Sequence, residues 1–118
     1  MEAYKFRIYD DENKKYIYFD FSDIDYNAII IIGCNNKFYL NDYSKIEQYI
    51  GQGDINNTEI YEGDILLTDE ANWKAKVIYN YDGFMLRGLN NKGFSCSPSY
   101  KNCEIIGNIH ENKELLKE

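Results

Sequence analysis

Residues 48–66 read QYIGQGDINNTEIYEGDIL, and this stretch decides how the chain is laid out. Gln48 and Tyr49 close one extended segment. The run that follows is rich in glycine and asparagine, residues that tolerate backbone angles others resist, so it reads as a turn. Glu59 and Ile60 resume strand character, and Tyr61-Glu62-Gly63-Asp64 opens a second strand that continues through Leu66. Gly63 is expected to supply an unusual conformation where the chain turns a corner, with Asp64 accepting backbone hydrogen bonds there. Tyr49 and Tyr61 bring large rings whose hydroxyls need partners. The block thus has a structural explanation before any functional one.

Working upstream, Tyr4, Phe6 and Ile8 alternate with Lys5 and Arg7, the two-residue period of a strand. Residues 11–15 are a polar turn, and Tyr16-Ile17-Tyr18-Phe19 has the aromatic content strands favour, so the first 21 residues read as a β-hairpin. A polar connection leads to a short buried strand at 28–32, closed by Gly33, and a turn at 35–37 precedes Phe38-Tyr39-Leu40. Ser44-Lys45-Ile46-Glu47 carries weak helix-start chemistry, a Ser followed three residues later by Glu.

Downstream, strand signals recur at 64–68, 73–79, 84–89 and 104–109, with turns at 69–72, 81–83 and 90–93. Trp73, Ala75, Val77 and Tyr79 share an inward face, and Lys74 and Lys76 fall on the other. Residues 94–100 read as irregular, and 111–118 as one or two helical turns at most. Short strands at this spacing indicate a small barrel or sandwich.

Three blocks together resemble the YopX family of phage and prophage proteins. They are Tyr4-Lys5-Phe6-Arg7-Ile8-Tyr9-Asp10, the central stretch, and Ile105-Ile106-Gly107-Asn108-Ile109-His110-Glu111-Asn112. In the centre the matching positions are Gln48, Tyr49, Gly51, Asp54, Asn57, and Glu59 through Ile65. Ile50, Gln52 and Thr58 depart from the family pattern, as do Tyr9, where Trp is frequent, and His110, where Tyr is frequent. Regions 11–45 and 68–103 match only in hydrophobic rhythm. The resemblance implies an SH3-like barrel, favours an extended segment over a helix through Gln48 and Tyr49, and carries no established activity. The expected architecture is mainly β: one compact domain, with a β-rich part at 1–45, the barrel at 46–110, and a short helix or tail at 111–118. Gln48, Tyr49, Gly51, Tyr61, Glu62, Gly63 and Asp64 are expected to be structural.

The net charge of −7 is unevenly spread. Residues 1–72 hold a balance of −9, residues 73–103 one of +4, and the remainder −2. An acidic whole argues against non-specific nucleic-acid binding, which depends on neutralising phosphates. The basic segment is a local exception. There Trp73, Lys74, Lys76 and Arg87, with Tyr79, Phe84 and Phe94 nearby, interleave cations and rings as nucleic-acid-binding barrels do. The bland alternative is a solvated outer face, or pairing of the basic half with the acidic half of the same chain or a neighbour.

Catalytic signatures are weak. Glu62 and Asp64 are read as two apart on one strand face, and Asp20, Asp23 and Asp25 as a loop cluster; ordinary solvated acids explain both. The cluster lacks the glycine and terminal glutamate of an EF-hand loop. Gly51-Gln52-Gly53 is too short for a phosphate loop, and Asp54 would repel phosphate. Cys96, Cys103 and His110 match no common zinc spacing and lack a fourth ligand. With Cys34, the cysteines read as reduced, small hydrophobes. No enzyme activity, cofactor or metal is expected. No 18-residue apolar run is present, which excludes a helical membrane span. No basic-then-apolar leader precedes Tyr4, so a cytoplasmic protein of the bacterial host is expected.

Two functions of different class follow. The first is a non-enzymatic protein-interaction module binding a host or phage protein, one variant of which uses Asp20, Asp23 and Asp25 to imitate phosphate. The alternative is a nucleic-acid-binding accessory protein using segment 73–103.

Overall fold

Asp10 begins the fold by closing its first hairpin. Strands β1 (Phe6–Asp10) and β2 (Lys15–Phe19) pair antiparallel from Phe6 opposite Phe19 to Asp10 opposite Lys15. Asp10 Oδ1 accepts the backbone N–H groups of Glu12 and Asn13, and Oδ2 accepts the Asn13 side-chain amide at 2.7 Å. That side-chain bond leads the effects holding the Asp10 carboxyl below the usual carboxylate range. Lys14 takes a left-handed φ of 56° at the tip. The structure, a computed structural model, describes residues 5–20, 24–25, 30–31, 38–39, 46–69, 72–80, 83–89, 93–95 and 98–116.

The chain divides into two compact units, Met1–Tyr49 and Ile50–Glu118. In the first, Ile8 and Phe19 form a small core with Phe6, Ile17 and Ile46. The Phe6 and Phe19 rings stack at 5.7 Å between centroids. Arg7 points to the opposite face, where its Nε donates to Glu47 Oε1 at 2.7 Å, both side chains being buried. The guanidinium also lies 3.9 Å from the Tyr16 ring centroid. Glu47 opens β6 (Glu47–Gly53), whose start pairs with β1 through Arg7 opposite Glu47 and Phe6 opposite Gln48. Lys5 continues the contact, its carbonyl accepting the Tyr49 N–H and its ammonium lying 5.5 Å from the Tyr49 ring centroid.

Three further two-residue strands, β3 (Ile24–Asp25), β4 (Ile30–Ile31) and β5 (Phe38–Tyr39), form their own antiparallel sheet in chain order. Asp25 therefore belongs to a strand, opposite Ile30, and not to a loop cluster. Asp23 lies outside the described residues, as do Cys34, Cys96 and most of the strand expected at 28–32.

In the second unit, β6 runs on to Gly53, past the end expected at Tyr49. Gly51 takes φ 88° within it, a conformation glycine adopts at little cost. Next come β7 (Glu59–Tyr61), β8 (Asp64–Leu67), β9 (Lys74–Asn80), β10 (Gly83–Gly88), β11 (Phe94–Ser95) and β12 (Glu104–Asn108). The last five form one sheet in the order β11-β10-β9-β8-β12. Ile60, Leu66, Ala75, Val77, Leu86, Tyr100 and Cys103 build its core, with Ile50, Trp73, Phe84 and Ile105 packed at the margin. Phe94 and Ser95 pair with β10 where the sequence reads as irregular. The C-terminal helical turn is a 3-10 turn at Lys113–Leu116. The fold is mainly β, as expected, and no α-helix occurs among the described residues. Nor, among them, is any helix long and apolar enough to cross a membrane.

Candidate functional site

Two carboxylates of the central motif, Asp54 and Asp64, hold strand ends. Asp54 is buried between β6 and β7. Its Oδ1 accepts the N–H groups of Asn56 and Thr58, each at 2.9 Å, and its Oδ2 accepts Ile105 N–H of β12 at 3.0 Å. Burial pushes the Asp54 carboxyl up, but the backbone donors Ile105, Thr58 and Asn56 outweigh it and hold the group below the usual range. The Ile55 N–H donates to the carbonyl of Cys103, the residue before β12, at 2.8 Å, fastening the same turn to the start of that strand.

Asp64 makes the corner expected of it. Its Oδ2 accepts the Tyr61 N–H at 2.8 Å, and Gly63 between them has φ 90°, the left-handed value a tight turn requires at that place. Gly63 N–H donates to the Val77 carbonyl, and its own carbonyl accepts Ile109 N–H. Glu62 sits in this turn, so Glu62 and Asp64 do not share a strand face as the sequence suggested. The C-terminal block has its own peg in Asn108. Its Oδ1 accepts the N–H groups of His110 and Glu111, and its Nδ2 donates to Glu111 Oε1 at 2.9 Å. Asn112 Oδ1 returns to the Asn108 N–H at 3.1 Å. A Cβ on Gly107 would stand 2.6 Å from that same oxygen, so glycine makes room for the return.

The basic segment resolves differently. In β9 and β10, Lys76 stands directly opposite Arg87, and Arg87 opposite Phe94 of β11. Direct partners share a face, so Ile65 of β8, Lys76, Arg87 and Phe94 form one row across four strands, with Lys74 two residues along β9 and Met85 two along β10 on that face. Ile65 and Met85 are buried, so the row opens to solvent at its Arg87–Phe94 end. Lys74, Arg87 and Phe94 are exposed and Lys76 is half-buried. Among the described residues, no carboxylate lies within salt-bridge distance of Lys74, Lys76 or Arg87.

Most rings lie on the other side. Ala75, Val77 and Leu86 face the core, and Trp73 and Phe84 pack against it. The Trp73 ring sits against Gly93, where a Cβ would be 3.5 Å from Cζ2. Tyr79 shares their parity but lies beyond the core, 60% exposed, edge-on to Phe84. The sheet thus brings Lys74, Lys76 and Arg87 together, separates them from Trp73, and adds Phe94. The sequence showed the alternation within β9, but not the register that places Arg87 and Phe94 beside Lys76.

Tyr100 and Cys103 are buried in the core. The Cys103 thiol donates to the Ser99 carbonyl, and the Tyr100 hydroxyl has no hydrogen-bond partner among the described residues. Burial, with Cys103 adding to it, pushes the Tyr100 hydroxyl up to about 12. Among the described residues no group of three or more His, Cys, Asp or Glu side chains is arranged to hold a metal ion.

Residues 5–117 match the family described as YopX protein. Among solved structures, the chain is similar to protein EF1440 from Enterococcus faecalis. The identity is 26% and the TM-score 0.62, over 99% of this chain and 100% of that one. No curated protein matches.

Proposed function

We propose that this chain, which belongs to the YopX family, is a non-enzymatic protein-interaction module. In this reading it is phage- or prophage-derived, acts in the cytoplasm of the bacterial host, and binds a host or phage protein. The sheet of the second unit serves as a small SH3-like barrel that presents the exposed side chains of Lys74, Arg87 and Phe94 to that partner. The single observation carrying the reading is the contrast between motif and face. Asp54, Asp64 and Asn108 spend their polar atoms on internal backbone donors, whereas Lys74, Arg87 and Phe94 turn outward. The twelve tyrosines are in keeping with it, since tyrosine is enriched at interfaces.

One observation favours the second reading, a nucleic-acid-binding accessory protein. Lys76 and Arg87 stand opposite each other with the exposed Phe94 ring alongside, a cation-and-ring grouping suited to phosphate and base. That reading predicts binding which falls steeply with salt.

A tagged pull-down from phage-carrying host lysate separates the two when half the sample is nuclease-treated before washing. The interaction module predicts a stoichiometric protein partner that survives the nuclease. Recovery that depends on intact nucleic acid would replace it with the second reading.

A further inference from the structure

We infer that the face of Lys74, Lys76, Arg87 and Phe94 docks an extended acidic protein segment bearing an apolar side chain among its carboxylates. This rests on the interaction reading above and names the chemistry of the partner. Charge is the first observation. Like charges directly opposite across a sheet destabilise it, and Lys76 and Arg87 occupy such a pair. An anionic ligand lying over the pair turns that repulsion into attraction toward both cations.

Dimensions come second. Opposed residues on neighbouring strands have Cβ atoms about 5 Å apart, and Lys74 and Lys76, two residues apart on one strand, are separated by roughly 6.7 Å. A triangle of that size matches two or three carboxylates on a strand-like peptide, whose same-face side chains repeat at the same interval. Arginine adds a planar fork that grips one carboxylate with two parallel bonds.

The distribution of rings decides between peptide and nucleic acid. Single-stranded nucleic acid needs several rings beside the cations to stack successive bases, and its sites span about 4–16 nucleotides. Here Trp73 and Phe84 belong to the core side, leaving Phe94 with the cations. A nucleic-acid strand would run past three cations onto a chain whose net charge is −7. A short acidic segment ends where the cations end. Phe94, 67% exposed and next to Arg87, then takes the apolar side chain.

Arg87→Glu tests this without breaking the fold. Reversal at an exposed site removes one cation from the face and gives Lys76 an opposite charge across the strands, so the thermal midpoint should hold or rise. The full chain is titrated, by fluorescence anisotropy, into a labelled peptide with Glu, Glu and Leu at successive alternate positions and Ser between them, which in an extended strand puts the carboxylates and the apolar side chain on one face. Its Gln counterpart and an oligo-dT of equal charge are the controls. The expected result is saturable binding of the acidic peptide alone, weakened about tenfold or more by Arg87→Glu and by Lys74→Glu, and weakened by salt. Tighter binding of the oligo-dT would overturn the inference in favour of nucleic acid. No binding of the peptide, or binding that Arg87→Glu leaves unchanged, would also overturn it. So would a dimer, seen by light scattering, that Arg87→Glu dissociates, since the occupant would then be a second copy. Failure here is distinguishable from failure of the interaction reading. If the nuclease-treated pull-down recovers the same protein with wild type and Arg87→Glu, the module stands and this face is not its site. If wild type recovers none, the module itself falls.

Discussion

At Asp54 one carboxylate receives three backbone N–H groups, two from its own turn and one from Ile105, fifty-one positions away. Removing it leaves three donors without that acceptor in a buried place. Asp54→Ala should therefore cost about 3 kcal/mol, read as a lower denaturant midpoint at unchanged m-value. The pH dependence has a definite sign. The folded pKa lies below the unfolded value near 3.8, so the unfolded chain binds more protons as pH falls. The stabilisation is present above the unfolded value and is lost as pH drops through the folded one. Asp54→Asn should flatten that acid limb. Tyr100 provides the opposite case. Its buried hydroxyl has no described partner, so Tyr100→Phe should be neutral or stabilising by up to about 1 kcal/mol. Its folded pKa is raised from 10.0 to about 12 because burial disfavours the phenolate, so ionisation favours the unfolded chain and stability falls as pH climbs through that interval. Tyr100→Phe should abolish this alkaline decline in a chemical-denaturation series.

Between elements, the buried Arg7–Glu47 pair joins β1 to the start of β6. Breaking a buried pair strands the remaining charge, so Glu47→Ala should destabilise the chain by about 3 kcal/mol, again read from denaturant midpoints. Across β9 and β10 the expectation reverses. Arg87→Glu replaces a like-charge opposition with an opposite-charge one and should stabilise the sheet by up to about 1 kcal/mol, read as a raised thermal midpoint. What could be read in advance follows from the range of each interaction. Gly63 and Asp64 were legible because a positive φ and a bond back to Tyr61 are decided within four residues. Ala75 and Val77 were legible as core because strand alternation is local. Tyr79 kept the right parity yet lies exposed, since alternation does not say where a core ends. The Asp54–Ile105 bond and the Lys76–Arg87–Phe94 row depend on which strands meet and in what register, which no local pattern encodes. Glu62 and Asp64 do not share a face, against the two-residue period of their spacing, because the chain turns at Gly63.

Over the whole molecule, charge is segregated more sharply than the net value of −7 suggests. The basic excess lies in 73–103 and the acidic excess in 1–72. The sheet concentrates part of that excess by placing three cations on one face and most of the segment's rings on the other. Exposed cations act over roughly a Debye length, about 10 Å at 0.1 M salt and 3 Å at 1 M. Partner binding should accordingly weaken with salt while persisting after nuclease treatment. The most direct measurement is amide chemical-shift mapping of the nitrogen-15-labelled chain, titrated with the protein recovered from the nuclease-treated pull-down. A protein-interaction module acting through its cationic face predicts perturbations gathered at Lys74, Lys76, Arg87 and Phe94, and lost with Arg87→Glu. Perturbations gathered instead on the β1–β2 hairpin or the Tyr61–Asp64 corner would contradict that account, as would a titration that succeeds only when nucleic acid is added.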